Sequence, residues 1–394
     1  MRILIVLLVF VLLVNCEEKD LIETRGRDVS IITESFEGRF KKRDEEILIL
    51  TDEESRTGQL DNKGKGKGKG KGKGKGKKGN LKLRLIGELA SPKIDGNTLQ
   101  ATSVERVGDL ILVSYNFRGE TYSGAIDLIN EDLVLKAEIL FGDADISQIA
   151  VQDQEVFFVG ATSSLPDHTA FVEHIGLDFT NETFTWSNRR SALGSFVATS
   201  VYVNHEGVYV TTGNSSNQGG GLYKLDFNLN ERYYQSFEDA RWVTGQNNFI
   251  YSLSGNPKKV LIWKAKNLES HKSFRHHGNP QAESKITMDV EKNLFYVAGG
   301  LGGLLVYKNN GKLTDRILFD DESITNAVSA DDGLIFVSNG EGGVYVGSET
   351  GKEVQMIGKL DLRTNESVNH ILLKDNYLFV ASGIGGVKLI EIED

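Results

Sequence analysis

The sequence predicts an all-β chain folded as a seven-bladed β-propeller, and three observations carry that prediction. An apolar phrase ending in small or polar residues recurs seven times, beginning at Ile111, Phe157, Val208, Ile250, Phe295, Ile335 and Leu378. Successive copies lie 46, 51, 42, 45, 40 and 43 residues apart, and periods of about 40–50 residues with several short strands each are the signature of propeller blades. Turn residues precede each copy, among them Val107-Gly108-Asp109, Glu291-Lys292-Asn293 and Lys374-Asp375-Asn376. Asn, Asp and Gly tolerate the left-handed backbone that tight hairpins require. Finally, the last unit stops at Asp394 one strand short, while the alternating stretch LKLRLIGEL at 81–89 has no blade of its own. Placing residues 81–89 in the last blade closes the ring and removes its open edges, giving seven blades rather than six or eight over residues 81–394.

At the N-terminus, Arg2 precedes an apolar run of twelve residues, Ile3 to Val14. A membrane-spanning helix needs about 20, so residues 1–15 fit a secretory signal peptide instead. The run ends at Leu13-Val14-Asn15-Cys16, and Cys16 is the only cysteine among 394 residues. No intramolecular disulfide can form, so burial and backbone pairing must hold the fold. The junction resembles the lipobox of bacterial lipoproteins, with Asn15 where a small residue usually stands. That resemblance implies lipid attachment at Cys16, and several acyl chains at ~0.8 kcal/mol per buried methylene make a stable membrane anchor. Glu17-Glu18 and Asp20 resemble the sorting signal of lipoproteins displayed by Bacteroidetes, which implies a surface-exposed outer-membrane location in the cell envelope.

Residues 16–80 then read as the lipidated cysteine, a charged tether and a linker. Residues 17–62 are dense in charge and are expected to be mostly disordered; the apolar patches Val29–Ile32 and Ile47–Leu50 are able to pair as a small hairpin. Lys63–Lys78 alternates lysine with glycine and holds nine lysines and no apolar side chain. It serves either as a solvated spacer or as a cationic strip for outer-leaflet phosphates or acidic polysaccharide. Subtracting those nine charges from the net −10 leaves −19 on the rest of the chain. So acidic a body argues against nucleic acid as the main partner.

After the recurring phrase, three blades carry a glycine-rich turn and a strand: GLGGLLVY, GEGGVYVG and GIGGVKLI. Two earlier blades replace the turn with longer insertions at Ser163–Thr169 and Asn214–Gly220. The runs Gly302-Gly303-Leu304-Leu305-Val306, Gly342-Gly343-Val344-Tyr345-Val346 and Gly385-Gly386-Val387-Lys388-Leu389 resemble the LVIVD-repeat propellers of bacterial surface lipoproteins. The resemblance implies fold and location more than chemistry, since members of that family mostly lack an assigned activity.

Seven residues before each phrase lie Val104, Ala150, Val201, Val243, Met288, Val328 and Ile371, all apolar as inter-blade packing requires. Nine residues before it lie Thr102, Gln148, Thr199, Arg241, Ile286, Asn326 and Asn369. Six of these seven are polar and fall where the innermost strands enter the central channel. The ring formed by Thr102, Gln148, Thr199, Arg241, Asn326 and Asn369 is either a binding site for a polar ligand or a rim wetted by the funnel, with Arg241 its only cation.

Catalytic signals are few. His271, His276 and His277 share the segment HKSFRHHG, yet adjacent residues of a strand point to opposite faces, so a shared metal is not expected. Gly142-Asp143-Ala144-Asp145 lacks the later glycine and glutamate of a calcium loop and reads as a turn. No nucleophile elbow, zincin helix or phosphate loop is present. These observations favour a monomeric, non-catalytic surface module that binds protein, peptide or glycan, without a cofactor. A propeller-type lyase, lactonase or glycan hydrolase with its site in the funnel is the alternative, and a structural partner in an envelope complex is a third reading.

Overall fold

The computed structural model describes residues 27–50 (except 35 and 37) and 81–393, with gaps at 131–133, 166–167, 214–219, 283, 320–322, 351–352 and 363–365. The signal segment, Cys16, the Gly-Lys run and nearly all of the Asn214–Gly220 insertion lie outside the described residues. Seven antiparallel sheets follow one another along the chain. Their innermost strands are Gln100–Val107, Ala144–Gln152, Ala198–Asn204, Ala240–Gln246, Met288–Glu291, Ala327–Asp331 and His370–Lys374, which open blades 1 to 7. Within a blade consecutive strands pair, because connections of two to seven residues favour the adjacent antiparallel partner. At those turns Gly108, Asp153, Asn247, Asn293, Asp332 and Asp375 take φ between 42° and 67°.

Blade 7 is assembled from both ends of the described chain. Lys82–Leu89 lies against Val387–Glu393, with Glu393 opposite Lys82 and Val387 opposite Leu89. The glycine turn is required here: Gly386 has φ +73°, and a Cβ there would stand 1.9 Å from the Leu89 carbonyl oxygen. Each seam between blades holds one apolar cluster. Phe157, Val159, Val208 and Val210 fill the seam between blades 2 and 3, while Tyr296, Val306, Ile335 and Val337 fill that between 5 and 6.

Residues 27–50, expected to be mostly disordered, form three strands, and the two apolar patches do not pair with each other as a hairpin. Val29–Ile32 becomes a fifth, outermost strand of blade 1, pairing with Leu135–Phe141. Phe40–Glu46 is the fifth strand of blade 7, pairing with Lys82–Leu89. Leu48–Leu50 is the fifth strand of blade 6, pairing with Glu353–Leu360. The segment is therefore a strap around the rim, covering three sheet edges that otherwise present unpaired backbone groups. Val29 and Ile31 pack on the cluster between blades 1 and 2, Phe36 and Phe40 on that between 7 and 1, and Ile47 is buried in that between 6 and 7. Those apolar contacts beat the pairing of two short patches with each other, which buries almost nothing. The strap also relocates the Gly-Lys run: Leu50 before it and Lys82 after it are both fixed to the rim, so the run is not in the path between Cys16 and the propeller.

Charge sets the strap in place. Arg39 donates from Nη2 to Asp127 Oδ2 at 2.6 Å, pairs with Glu138, and gives its remaining hydrogens to the Ala90 carbonyl. Arg27 binds Asp143 at 2.6 Å and Glu173 at 2.8 Å. Arg43 reaches Glu88 at 2.6 Å, and Lys388 binds the same carboxylate at 3.0 Å. Asp127, Glu138 and Glu173 are buried in apolar strands, where an unpaired carboxylate is costly.

Candidate functional site at the channel mouth

The six polar ring residues lie on or just before the innermost strands, and each turns its polar atoms to a seam. Thr102 Oγ1 donates to the Ile146 carbonyl on blade 2 at 2.8 Å. Gln148 Oε1 accepts the Val201 amide of blade 3 at 3.0 Å, and Thr199 Oγ1 donates to the Ala240 carbonyl of blade 4 at 2.9 Å. Asn326 Nδ2 donates to the Val368 carbonyl of blade 7 at 3.1 Å, and Asn369 Nδ2 to the Ala101 carbonyl of blade 1 at 3.0 Å. Arg241 clamps Asp239 with Nε and Nη2 and gives Nη1 to the Gln281 and Ser284 carbonyls, both at 2.7 Å, on the approach to blade 5.

The ring is thus a belt of blade-to-blade ties, and Arg241 is a fully engaged clamp rather than a free cation. Blade 5 has Ile286 at this position, and the next residue takes over: Thr287 Oγ1 accepts the Val328 amide at 3.0 Å. The signal was present in the sequence. Polarity repeating at one phase of nearly every blade belongs to the repeat itself, whereas a ligand site samples only some blades.

What remains in the channel was missed by reading the ring alone. Lys285 Nζ, on the approach to blade 5, donates to the Thr102 carbonyl of blade 1 at 2.7 Å. Blades 5 and 1 are not neighbours, so this bond spans the channel. The same ammonium sits 5.5 Å from the Trp242 ring of blade 4, and that ring lies 5.7 Å from His370 of blade 7. Trp242 is fixed by its Nε1–H, which donates to the Met288 carbonyl at 2.9 Å. Burial pushes the Lys285 amine down to about 7, and burial, reinforced by the Lys285 charge, holds His370 well below its ordinary value. Deeper along the inner strands, burial raises Glu105 to about 7 against the pull of Lys374, and Asp289 to about 6 against two backbone amides.

Other candidates resolve into structural contacts. His276 is buried and neutral, with Nε2 at 2.8 Å from the Ser254 carbonyl, while His277 meets Tyr307 and His271 stacks on Phe249. Asp143 serves Arg27, and Asp145, on the innermost strand of blade 2, accepts the Phe117 and Ser123 amides of the blade 1 loop. On blade 2, Ser187, His174 and Glu155 have the composition of a hydrolytic triad. Yet Ser187 Oγ donates to the His174 carbonyl at 2.5 Å and so accepts from Nδ1 at 2.8 Å, the wrong direction for a base that takes the serine proton. Among the described residues no group of three or more His, Cys, Asp or Glu side chains is placed to hold a metal ion. The apolar hollow lined by Phe40, Leu89, Ile111 and Phe379 lies under the strap, away from the channel.

No protein-family profile matches the chain, and no curated protein is similar to it in sequence. Solved structures are similar in shape. A catalytically inactive variant of virginiamycin B lyase from Staphylococcus aureus, crystallised with quinupristin, has a TM-score of 0.59 at 11% identity, covering 79% of this chain and 99% of that one. The computationally designed Ika8 protein has a TM-score of 0.49 at 13% identity, covering 79% of this chain and 93% of its own. The likeness to the lyase concerns the fold, an all-β propeller; its seven blades are counted here from the sheets themselves.

Proposed function

We propose that this chain is a lipid-anchored propeller of the bacterial cell surface that binds a peptide or glycan at its channel mouth without converting it. The observation that carries the reading is the meeting of Lys285, Trp242 and His370 from three blades, an aromatic face beside an ammonium. Such a combination of apolar wall and few convergent polar groups suits recognition. Location rests on the lipobox-like junction at Cys16 and on the likeness of the glycine-turn blades to LVIVD-repeat lipoproteins. Eleven chain steps separate Cys16 from Arg27, a span of at most about 40 Å when fully extended. The propeller then rides close to the membrane. Radiolabelled palmitate incorporated by the parent and not by Cys16→Ala is the expected result for the anchor.

One observation favours a propeller-type enzyme as the second reading: burial pushes two carboxylates of the inner strands, Glu105 and Asp289, up to about 7 and about 6, toward the range of general acids and bases. Incubating the protein with immobilised glycan and peptide libraries separates the two. Saturable retention with ligand masses unchanged supports binding; products that vanish in Glu105→Gln or Asp289→Asn establish turnover and overturn it.

A further inference from the structure

We infer that the channel mouth takes a carboxylate group of its ligand, held between the Lys285 ammonium and the His370 imidazole. The inference deepens the binding reading above and rests on it. Lys285 spends one of its three ammonium hydrogens on the Thr102 carbonyl, at 2.7 Å, and lies over the Trp242 face. Both neighbours are neutral, and no carboxylate among the described residues is its partner; burial alone acts on its charge. Four other buried or half-buried cations do have an acid: Arg39 has Asp127, Arg27 has Glu173, Arg241 has Asp239 and Lys388 has Glu88. A walled-in cation without a counter-ion is unfavourable, and an anion entering from the mouth supplies one.

His370 provides the second donor. The Val104 amide donates to its Nδ1 at 3.3 Å, so the neutral ring carries its hydrogen on Nε2. That nitrogen has no partner among the described residues. Trp242, tied to the Met288 carbonyl, lies beside both groups, 5.5 Å from the ammonium and 5.7 Å from the imidazole. Glu105 on blade 1 and Asp289 on blade 5 lie deeper along the same inner strands. Loss of the Lys285 proton weakens anion binding as the pH rises through about 7.

Calorimetric titration of the full chain tests this with glucuronate and N-acetylglutamate, against glucose and N-acetylglutamine as uncharged counterparts. A charge-assisted pair predicts that one carboxylate binds at least about tenfold more tightly than its uncharged counterpart. Lys285→Arg should retain that binding. Lys285→Met should abolish it and raise the melting temperature by a few degrees, because it removes an uncompensated charge. Preference for glucuronate marks a glycan source for the carboxylate, preference for N-acetylglutamate a peptide source. Equal binding of charged and uncharged probes overturns the inference and leaves the binding module standing. A Lys285→Met variant that melts lower and binds no carboxylate differently from the parent also overturns it, making Lys285 a strut across the channel.

Discussion

The two halves of the ring are held differently. From blade 6 through 7 and 1 to 2, the strap adds a second set of bonds outside the sheets: Ile47 takes the Leu83 carbonyl of blade 7 and accepts the Asp361 amide after blade 6, Arg39 crosses from blade 7 to blade 1, and Arg27 crosses from blade 1 to blade 2. Among the described residues, blades 3, 4 and 5 have no such cover, and their outermost strands are Glu231–Ser236, Ser270–Arg275 and Leu313–Ile317. There the inner belt and the apolar clusters are joined by single ties such as Lys224 Nζ to the Ala265 and Lys266 carbonyls. The strapped half contains the seam where the ring closes, in blade 7, through Lys82–Leu89. The comparison teaches that non-local closure is reinforced from outside, while local pairing needs only the belt and single ties.

Removing the strap is the most drastic way to break this asymmetry. Deleting residues 27–50 uncovers three sheet edges and strands the buried carboxylates of blades 1 and 2. The expected cost exceeds about 5 kcal/mol, enough to unfold a domain of ordinary stability, and is read as loss of the cooperative thermal transition. Arg39→Met isolates one contact. It leaves Asp127, fully buried, without its cation, and should destabilise by about 3–5 kcal/mol in denaturant unfolding.

Arg241→Ala probes the belt in the bare half. It exposes Asp239 and two carbonyls to an unpaired state, a loss of about 2–3 kcal/mol, with ligand retention at the mouth changed far less than by Lys285→Met. If Arg241→Ala instead removes binding and spares stability, the ring is a ligand site after all.

A further effect concerns pH. Burial and the neighbouring Asp127 raise Glu138 to about 8 despite Arg39, whereas in the unfolded chain it titrates near its ordinary 4.5. The folded state therefore holds a proton that the unfolded state has released, and this group costs stability progressively between those two values. Glu138→Gln should gain on the parent in melting temperature as the pH rises through that window, then stay level above it.

The blades were legible because one apolar phrase repeats with a turn residue at a fixed phase, which constrains local pairing strongly. The channel ring was legible as a position but not as a role. Thr102, Gln148 and Asn369 are polar whether they face ligand or the next blade, and only the coordinates say which. The strap was not read at all, since Arg27, Arg39 and Arg43 look like ordinary surface charges in a charged stretch. Its trace lay elsewhere: Asp127 in GAIDLI, Glu138 in LKAEILF and Glu173 in AFVEHIGLD each interrupt a strand that is otherwise buried. A carboxylate in that position requires a cation from outside the blade, and the N-terminal arginines were the unassigned ones.

Native-state hydrogen exchange measures the central asymmetry directly. Amides of the outer strands Leu135–Phe141 and Glu353–Leu360, covered by the strap, should exchange far more slowly than those of Glu231–Ser236, Ser270–Arg275 and Leu313–Ile317, and Arg39→Met should bring Leu135–Phe141 toward the bare strands. Equal protection of the covered and uncovered outer strands in the parent protein would contradict the account.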